Sequence, residues 1–188
     1  MGELDEIARR AWRRTIPIAI GGFVVGAVIG ALLPGTDSAL GQFLSVVGLG
    51  LSVGGLSGTF SLLMASFRLA PSLQSPSHGL SRADRRSVRR AAISGQPIGP
   101  QDSELARRAF DLARGTAVAL PVNLGQFLLL YAGIAGPQVP NLIRDEAWNP
   151  GFPRVIITAL IVVAIIFSVV FGRQIRGARR YLAATNDR

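Results

Sequence analysis

No charged residue falls between Arg14 and Asp37, between Asp37 and Arg68, between Arg114 and Arg144, or between Arg154 and Arg173. Each gap can hold a helix of about 20 residues, the length that crosses the hydrocarbon of a bilayer. Backbone polar groups find no water there, so a spanning segment is a helix or part of a closed barrel, and these uninterrupted apolar runs exclude the barrel. The chain reads as an integral membrane protein, with four spans arranged as two close pairs around one long arginine-rich loop.

Which side the loop occupies follows from the arginines. All 20 basic residues are arginine, and the net charge is +9. Arg9, Arg10, Arg13 and Arg14 precede the first span, and Arg173, Arg176, Arg179, Arg180 and Arg188 follow the last. Nine more lie in the central loop, whereas Arg144 and Arg154 alone fall on the opposite side. Cytoplasmic loops carry the excess of positive charge, so both termini and the central loop are expected in the cytoplasm of a multi-pass protein of the cell inner membrane. A basic chain would otherwise point to nucleic acid, but no aromatic or amide readout residues interleave with the arginines, and no nucleic-acid partner is expected.

The punctuation divides the chain into five segments. Residues 1–14 form a cytosolic amphipathic helix, with Leu4, Ile7, Ala8, Ala11 and Trp12 at helical spacing and Glu3, Asp5 and Glu6 at its N-terminal end. Its stripe suits either the headgroup region or the cytosolic helices. Three acids and the lack of a small-residue cleavage site after Leu33 argue that the first span is retained. Residues 15–67 form a first transmembrane hairpin that turns at Pro34 to Ser38. Residues 68–114 form a basic helical loop. Pro71, Ser72, Ser75, Pro76 and Ser77 make a flexible lead-in, Ser81 and Asp84 open a helix to about Ile93, and Gly95, Pro97, Gly99 and Pro100 end it. Asp102 or Ser103 then caps a second helix that runs into span three, giving a cytosolic helical hairpin. Residues 115–172 form the second transmembrane hairpin, with a short helix expected over 141–148, and 173–188 a cytosolic tail.

The run Leu80-Ser81-Arg82-Ala83-Asp84-Arg85-Arg86-Ser87-Val88-Arg89-Arg90-Ala91, followed by Gly95-Gln96-Pro97, resembles a segment of small actinobacterial integral membrane proteins of unassigned activity. The resemblance covers this loop alone. It implies a bacterial source and a helix followed by a Gly-Pro turn, and it assigns no functional residue.

Three constellations stand out. Gly22, Gly26 and Gly30 recur every four residues in span one, and Gly50, Gly54 and Gly58 do so in span two. Without Cβ atoms two backbones approach closely, so these faces are expected to pack on each other within the first hairpin, or on another subunit. Asn123 and Gln126 lie in the middle of span three after Pro121, which removes a backbone donor and should kink the helix. Their amides need partners, which Ser45, Ser52, Ser57, Thr59 and Ser61 of span two could supply; a small polar ligand is the competing use. Arg82, Arg85, Arg86, Arg89 and Arg90 fall within an arc of about 140° at 100° per residue, a surface for anionic lipid headgroups or for an acidic partner.

Chemistry is harder to find. The chain has no cysteine, and its single His78 has no second ligand near it in sequence, so neither a metal nor another cofactor is expected. No intramembrane Asp, Glu, Lys, Arg or His marks a proton or ion path. Asp145 and Glu146 are adjacent, about 100° apart on a helix, which is poor geometry for an acid/base pair. With 188 residues and a mean hydropathy of +0.39, no separate soluble catalytic domain fits. The sequence therefore reads as an all-α bundle of four transmembrane helices that is not an enzyme. It is expected to act as an accessory or scaffold subunit in contact with membrane lipids and with another membrane protein or its own copies. An oligomeric pore or transport subunit lined by spans two and three is the alternative.

Overall fold

Long runs without Gly-Pro pairs or Asn/Asp clusters leave the backbone little choice but to continue a helix. The computed structural model describes residues 2–33, 38–100, 102–142 and 151–186, and these contain helices and turns without a strand. The helices are α1 (Glu3–Leu32), α2 (Ala39–Gln74), α3 (Arg82–Ser94), α4 (Glu104–Ala135) and α5 (Gly151–Asn186), with short 3-10 turns at Ser75–Ser77, Gly136–Gln138 and Pro140–Leu142. All but α3 are long and apolar enough to cross a membrane.

Several boundaries differ from the sequence expectation, and the reason is the same in each case. Neither a change of side-chain character nor an isolated proline ends these helices. The charged segment from Glu3 to Arg14 and the apolar segment after it are one helix, which continues through Pro17. Instead of becoming a flexible lead-in at Pro71, α2 extends to Gln74, and the Ser72 hydroxyl bonds the Leu69 carbonyl at 2.7 Å. Likewise α5 does not end near Gly172 but carries Arg173, Arg176, Arg179 and Arg180 in the same helix. The expected short helix over 141–148 begins with the Pro140–Leu142 turn; most of it, with Asp145 and Glu146, lies outside the described residues.

The caps of α3 form as the sequence requires. Ser81 accepts from the Asp84 amide at 3.1 Å and its hydroxyl donates to the Asp84 carboxylate at 2.7 Å. Gly95 closes the helix in the left-handed region at φ 78°, where a Cβ would be strained. Ser103 accepts from the Ala106 amide at 3.2 Å at the start of α4.

The contacts divide the chain into two units of similar size: unit one is Met1–Arg10, Met64–Leu124 and Phe167–Arg188, and unit two is Ala11–Leu63 and Gly125–Ile166. Unit one has a side-chain core. Val88, Ala91 and Ala92 of α3 pack with Ala109 and Ala113 of α4 and with Ala178 and Tyr181 of α5. The alanines let the three backbones come close enough for Tyr181, 2% exposed, to be enclosed, with its hydroxyl 3.4 Å from the Ala106 carbonyl. Burial pushes the Tyr181 phenol above its usual range, and a hydrogen bond with the Ile98 backbone opposes that shift.

Unit two is held by backbones rather than by large side chains. A Cβ at Gly22 would lie 3.1 Å from the Gly54 Cα, one at Gly26 would strike the Leu49 carbonyl, and one at Gly30 would lie 2.6 Å from the Ser45 carbonyl. The other side of α2 meets α4 and the turn after it in the same way: Gly55 faces Gly133 of α4, and Gly48 faces Gly136 of the turn. Inter-helix hydrogen bonds support the first contact at both ends: the buried Thr15 hydroxyl donates to the Ser61 hydroxyl at 2.9 Å, and the Gln42 amide donates to the Gly30 and Ala31 carbonyls at 3.1 and 2.9 Å.

Candidate functional site

The six glycines picked out by spacing lie on contact surfaces of unit two, but not in one uniform row. Gly22 and Gly26 sit against Gly54 and Gly50, and Gly30 against Ser45 and Val46. On α2, Gly50 accommodates the Phe23 ring, whereas Gly58 lies between Ala19 of α1 and Leu129 of α4. Gly48, Gly55, Gly133 and Gly136 form a second set of close approaches that the four-residue rule missed. Gly48 and Gly55 are seven apart on α2, and Gly133 and Gly136 three apart across the end of α4, spacings that would have pointed to them.

Trp12 does not sit apart on a free headgroup surface. Its ring occupies the space that a Cβ at Gly125 of α4 would need. A charged, amphipathic stretch therefore leads directly into a packed position through the continuity of α1.

Asn123 and Gln126, three residues apart, belong to different units, Asn123 to unit one and Gln126 to unit two. Three of the α2 hydroxyls expected to serve them, those of Ser45, Thr59 and Ser61, have bonds of other kinds. Ser45 donates to the Gly41 carbonyl at 3.0 Å and Thr59 to the Gly55 carbonyl at 2.8 Å, both one turn back on their own helix. Thr59 also lies 3.5 Å from the Gln126 carbonyl, and Ser61 is the acceptor for Thr15.

Unit one is where charged and polar groups converge. On α3 the buried Val88, Ala91 and Ala92 face the core, and all five arginines are exposed. They are not equivalent. At 100° per residue Arg85 and Arg89 are nearest the buried edge at Ala92, while Arg82, Arg86 and Arg90 lie further round the helix. Arg85 and Arg89 accordingly border a cavity of about 260 Å³ with Ser77, Thr116 and Gln174 in its wall and Leu73, Leu112 and Leu120 among its apolar residues. Two further cavities in unit one measure about 330 Å³, beside Arg107, Asp111 and Tyr181, and about 400 Å³, beside Asp5, Arg114 and Arg179.

Sequence spacing identified the arginine face, but not the residues that turn part of it into a cavity. Thr116, Leu73 and Gln174 come from three other helices, far apart in the chain. Among the described residues, no three His, Asp or Glu side chains gather where they could hold a metal ion; His78 offers its carbonyl to Arg108 at 2.7 Å. No protein-family model matches this chain, and neither does any curated protein or solved structure.

Proposed function

We propose that this chain is a multi-pass protein of the bacterial inner membrane, with both termini and the α3 region in the cytoplasm, and that it serves as an accessory or scaffold subunit of a larger membrane assembly. The observation that carries the reading is α5. Its apolar stretch has the highest mean hydropathy of the four long helices, 3.0, and none of that stretch is buried within the chain. Val155, Ile161, Val162, Ile165 and Ile166 are all exposed. Exposing such a surface to water would cost about 25 cal/mol per Å², so it needs lipid or a partner helix.

The glycine faces support a scaffold over a conduit. They bring α1, α2 and α4 of unit two to backbone contact at several heights, which leaves little width between these helices for a solute path. Small-residue contacts are also what association requires in lipid, where burying apolar surface yields no gain between helices.

Membrane placement is tested with reporters active only outside the cytoplasm. Fusions after Asp37 and near Asn149 should be active, and those after Ser77 or Arg188 inactive; activity at Ser77 would overturn the orientation. The accessory role is tested by purification in mild detergent at native abundance. A stable heteromeric complex is expected, surviving high salt where apolar helix faces hold it. A lone homo-oligomer that conducts ions or solutes in liposomes, with conductance altered by Asn123→Leu or Gln126→Leu, would replace this reading with transport.

A further inference from the structure

The three cavities of unit one differ in charge balance. Asp111 accompanies Arg107 in one, and Asp5 accompanies Arg114 and Arg179 in another. The cavity beside Arg85 and Arg89 has no carboxylate in its wall. Among the described residues, neither of these guanidinium groups has an ion pair or a hydrogen bond. Thr116, 6% exposed, lines the same cavity, and no hydrogen bond among the described residues engages its hydroxyl. Since no enclosed side-chain polar atom among the described residues lacks a partner, the Thr116 oxygen is not fully enclosed. Gln174 adds an amide.

Two guanidinium forks one helical turn apart, a hydroxyl and an amide make a set of donors suited to the oxygens of a phosphate. The remainder of the wall is apolar, with Leu73, Leu112 and Leu120, which a soluble anion would not use. On α5, Gln174 lies one turn beyond Val170, which is exposed, and beyond Phe171, whose ring meets Phe167 edge-on at 5.5 Å. An apolar stripe therefore leads away from the polar cavity along one helix. At about 260 Å³ the cavity is smaller than the roughly 300–1,000 Å³ of sites that enclose a whole drug-sized molecule. It has room for a headgroup, with acyl chains outside. We infer that this cavity binds the phosphate of an anionic phospholipid through Arg85, Arg89, Thr116 and Gln174, with the acyl chains lying along Phe167 and Val170. The inference rests on the membrane reading given above and is independent of the accessory role.

The full chain in neutral maltoside micelles, titrated with phosphatidylglycerol, should show a saturable rise in its thermal midpoint, because a ligand of the folded state stabilises it by mass action. Phosphatidylcholine should give no saturation. Arg85→Ala with Arg89→Ala should raise the half-saturating concentration by about tenfold or more, Thr116→Val by about threefold, and Arg82→Ala with Arg86→Ala by less than about twofold. The exposed arginines leave the fold intact, so the two double variants are comparable. Equal weakening by both would mean a diffuse basic surface and would overturn the site. So would saturation by glycerol 3-phosphate at the same concentrations, which would make it a site for soluble phosphate, or stronger binding of a polyglutamate peptide. A failed topology test removes the membrane reading itself; loss of saturation with topology intact removes only the cavity.

Discussion

In unit one the large apolar residues are turned inward, and in unit two they are turned outward. Among the described residues, every buried apolar side chain except Leu62 and Pro153 belongs to unit one. The exposed large apolar side chains belong to unit two, apart from Met64, Phe67, Val169 and Val170, which lie within a few residues of the unit boundaries. Unit one is packed as water demands, with Val88, Leu69 and Tyr181 enclosed and the α3 arginines outside. Unit two places Ile16, Ile20, Val24, Val25 and Val28 outside and makes its helix contacts at glycines, against a neighbouring backbone or against a ring such as Phe23 or Trp12. Where the surroundings are as apolar as the side chains, burying leucine gains nothing, and close backbone contact is what remains to hold helices together. The same chain thus follows two packing rules.

The largest effect should come from filling a backbone contact in unit two. Gly26→Leu places side-chain atoms where the Leu49 backbone already lies, and should cost about 3 kcal/mol or more, read as a lower thermal midpoint in neutral detergent. Gly21→Leu, on the same helix with nothing near its Cβ position, should be close to silent. Equal midpoints for the two variants would break the account of unit two.

A smaller effect tests the opposite rule. Val88→Ala empties part of an enclosed core and should cost about 2 kcal/mol, between the values typical of Ile→Val and Leu→Ala. Val162→Ala, on the exposed surface of α5, should change stability by less than about 0.5 kcal/mol. If Val162→Ala proved the more damaging, α5 would be packed against something in the purified state, and the comparison would be sharpened toward a partner.

Next come the hydroxyls. Thr15→Val keeps the shape and removes the bond to Ser61, at a cost of about 1 kcal/mol, with Ser61→Ala matching it and the double variant adding little. Full additivity in that cycle would show that the two residues do not act as a pair.

The smallest effect is at Tyr181. Tyr181→Phe gives up a long hydrogen bond and should cost no more than about 1 kcal/mol near neutral pH. Because the folded-state pKa is raised, the folded state holds the phenolic proton more tightly than the unfolded chain does. That stabilisation is fully present below pH of about 10 and is lost as pH rises through the raised value. The wild type should therefore lose stability at alkaline pH faster than Tyr181→Phe; parallel curves would remove the buried phenol from the argument.

Much of the secondary structure was legible in the sequence because its causes are local. The charge-free runs, the Ser81 and Asp84 cap and Gly95 each act within a turn or two of chain, and all four long apolar segments and α3 appear where those signals stand. Helix ends were read less well. Arg14, Pro71 and Gly172 mark changes of composition, but the backbone continues past each of them. The candidate cavity was half legible: the arginine arc on α3 follows from helical geometry, whereas the contributions of Leu73, Thr116 and Gln174 do not.

By itself the sequence determined that the chain is helical, that four of its helices are long and apolar enough to cross a membrane, and that its arginines gather at the termini and the central loop. These are consequences of residue type and of periodicity along one strand of chain. Tertiary structure alone decided that α2 uses one side against α1 and another against α4, that Asn123 and Gln126 fall in separate units, and that Arg85 and Arg89, rather than Arg82, Arg86 or Arg90, border the cavity that Thr116 and Gln174 also line. The reason is physical. Which glycine meets which carbonyl, and which arginine stands beside which threonine, depends on the register and rotation of helices that are distant in sequence, and no local spacing rule carries that information.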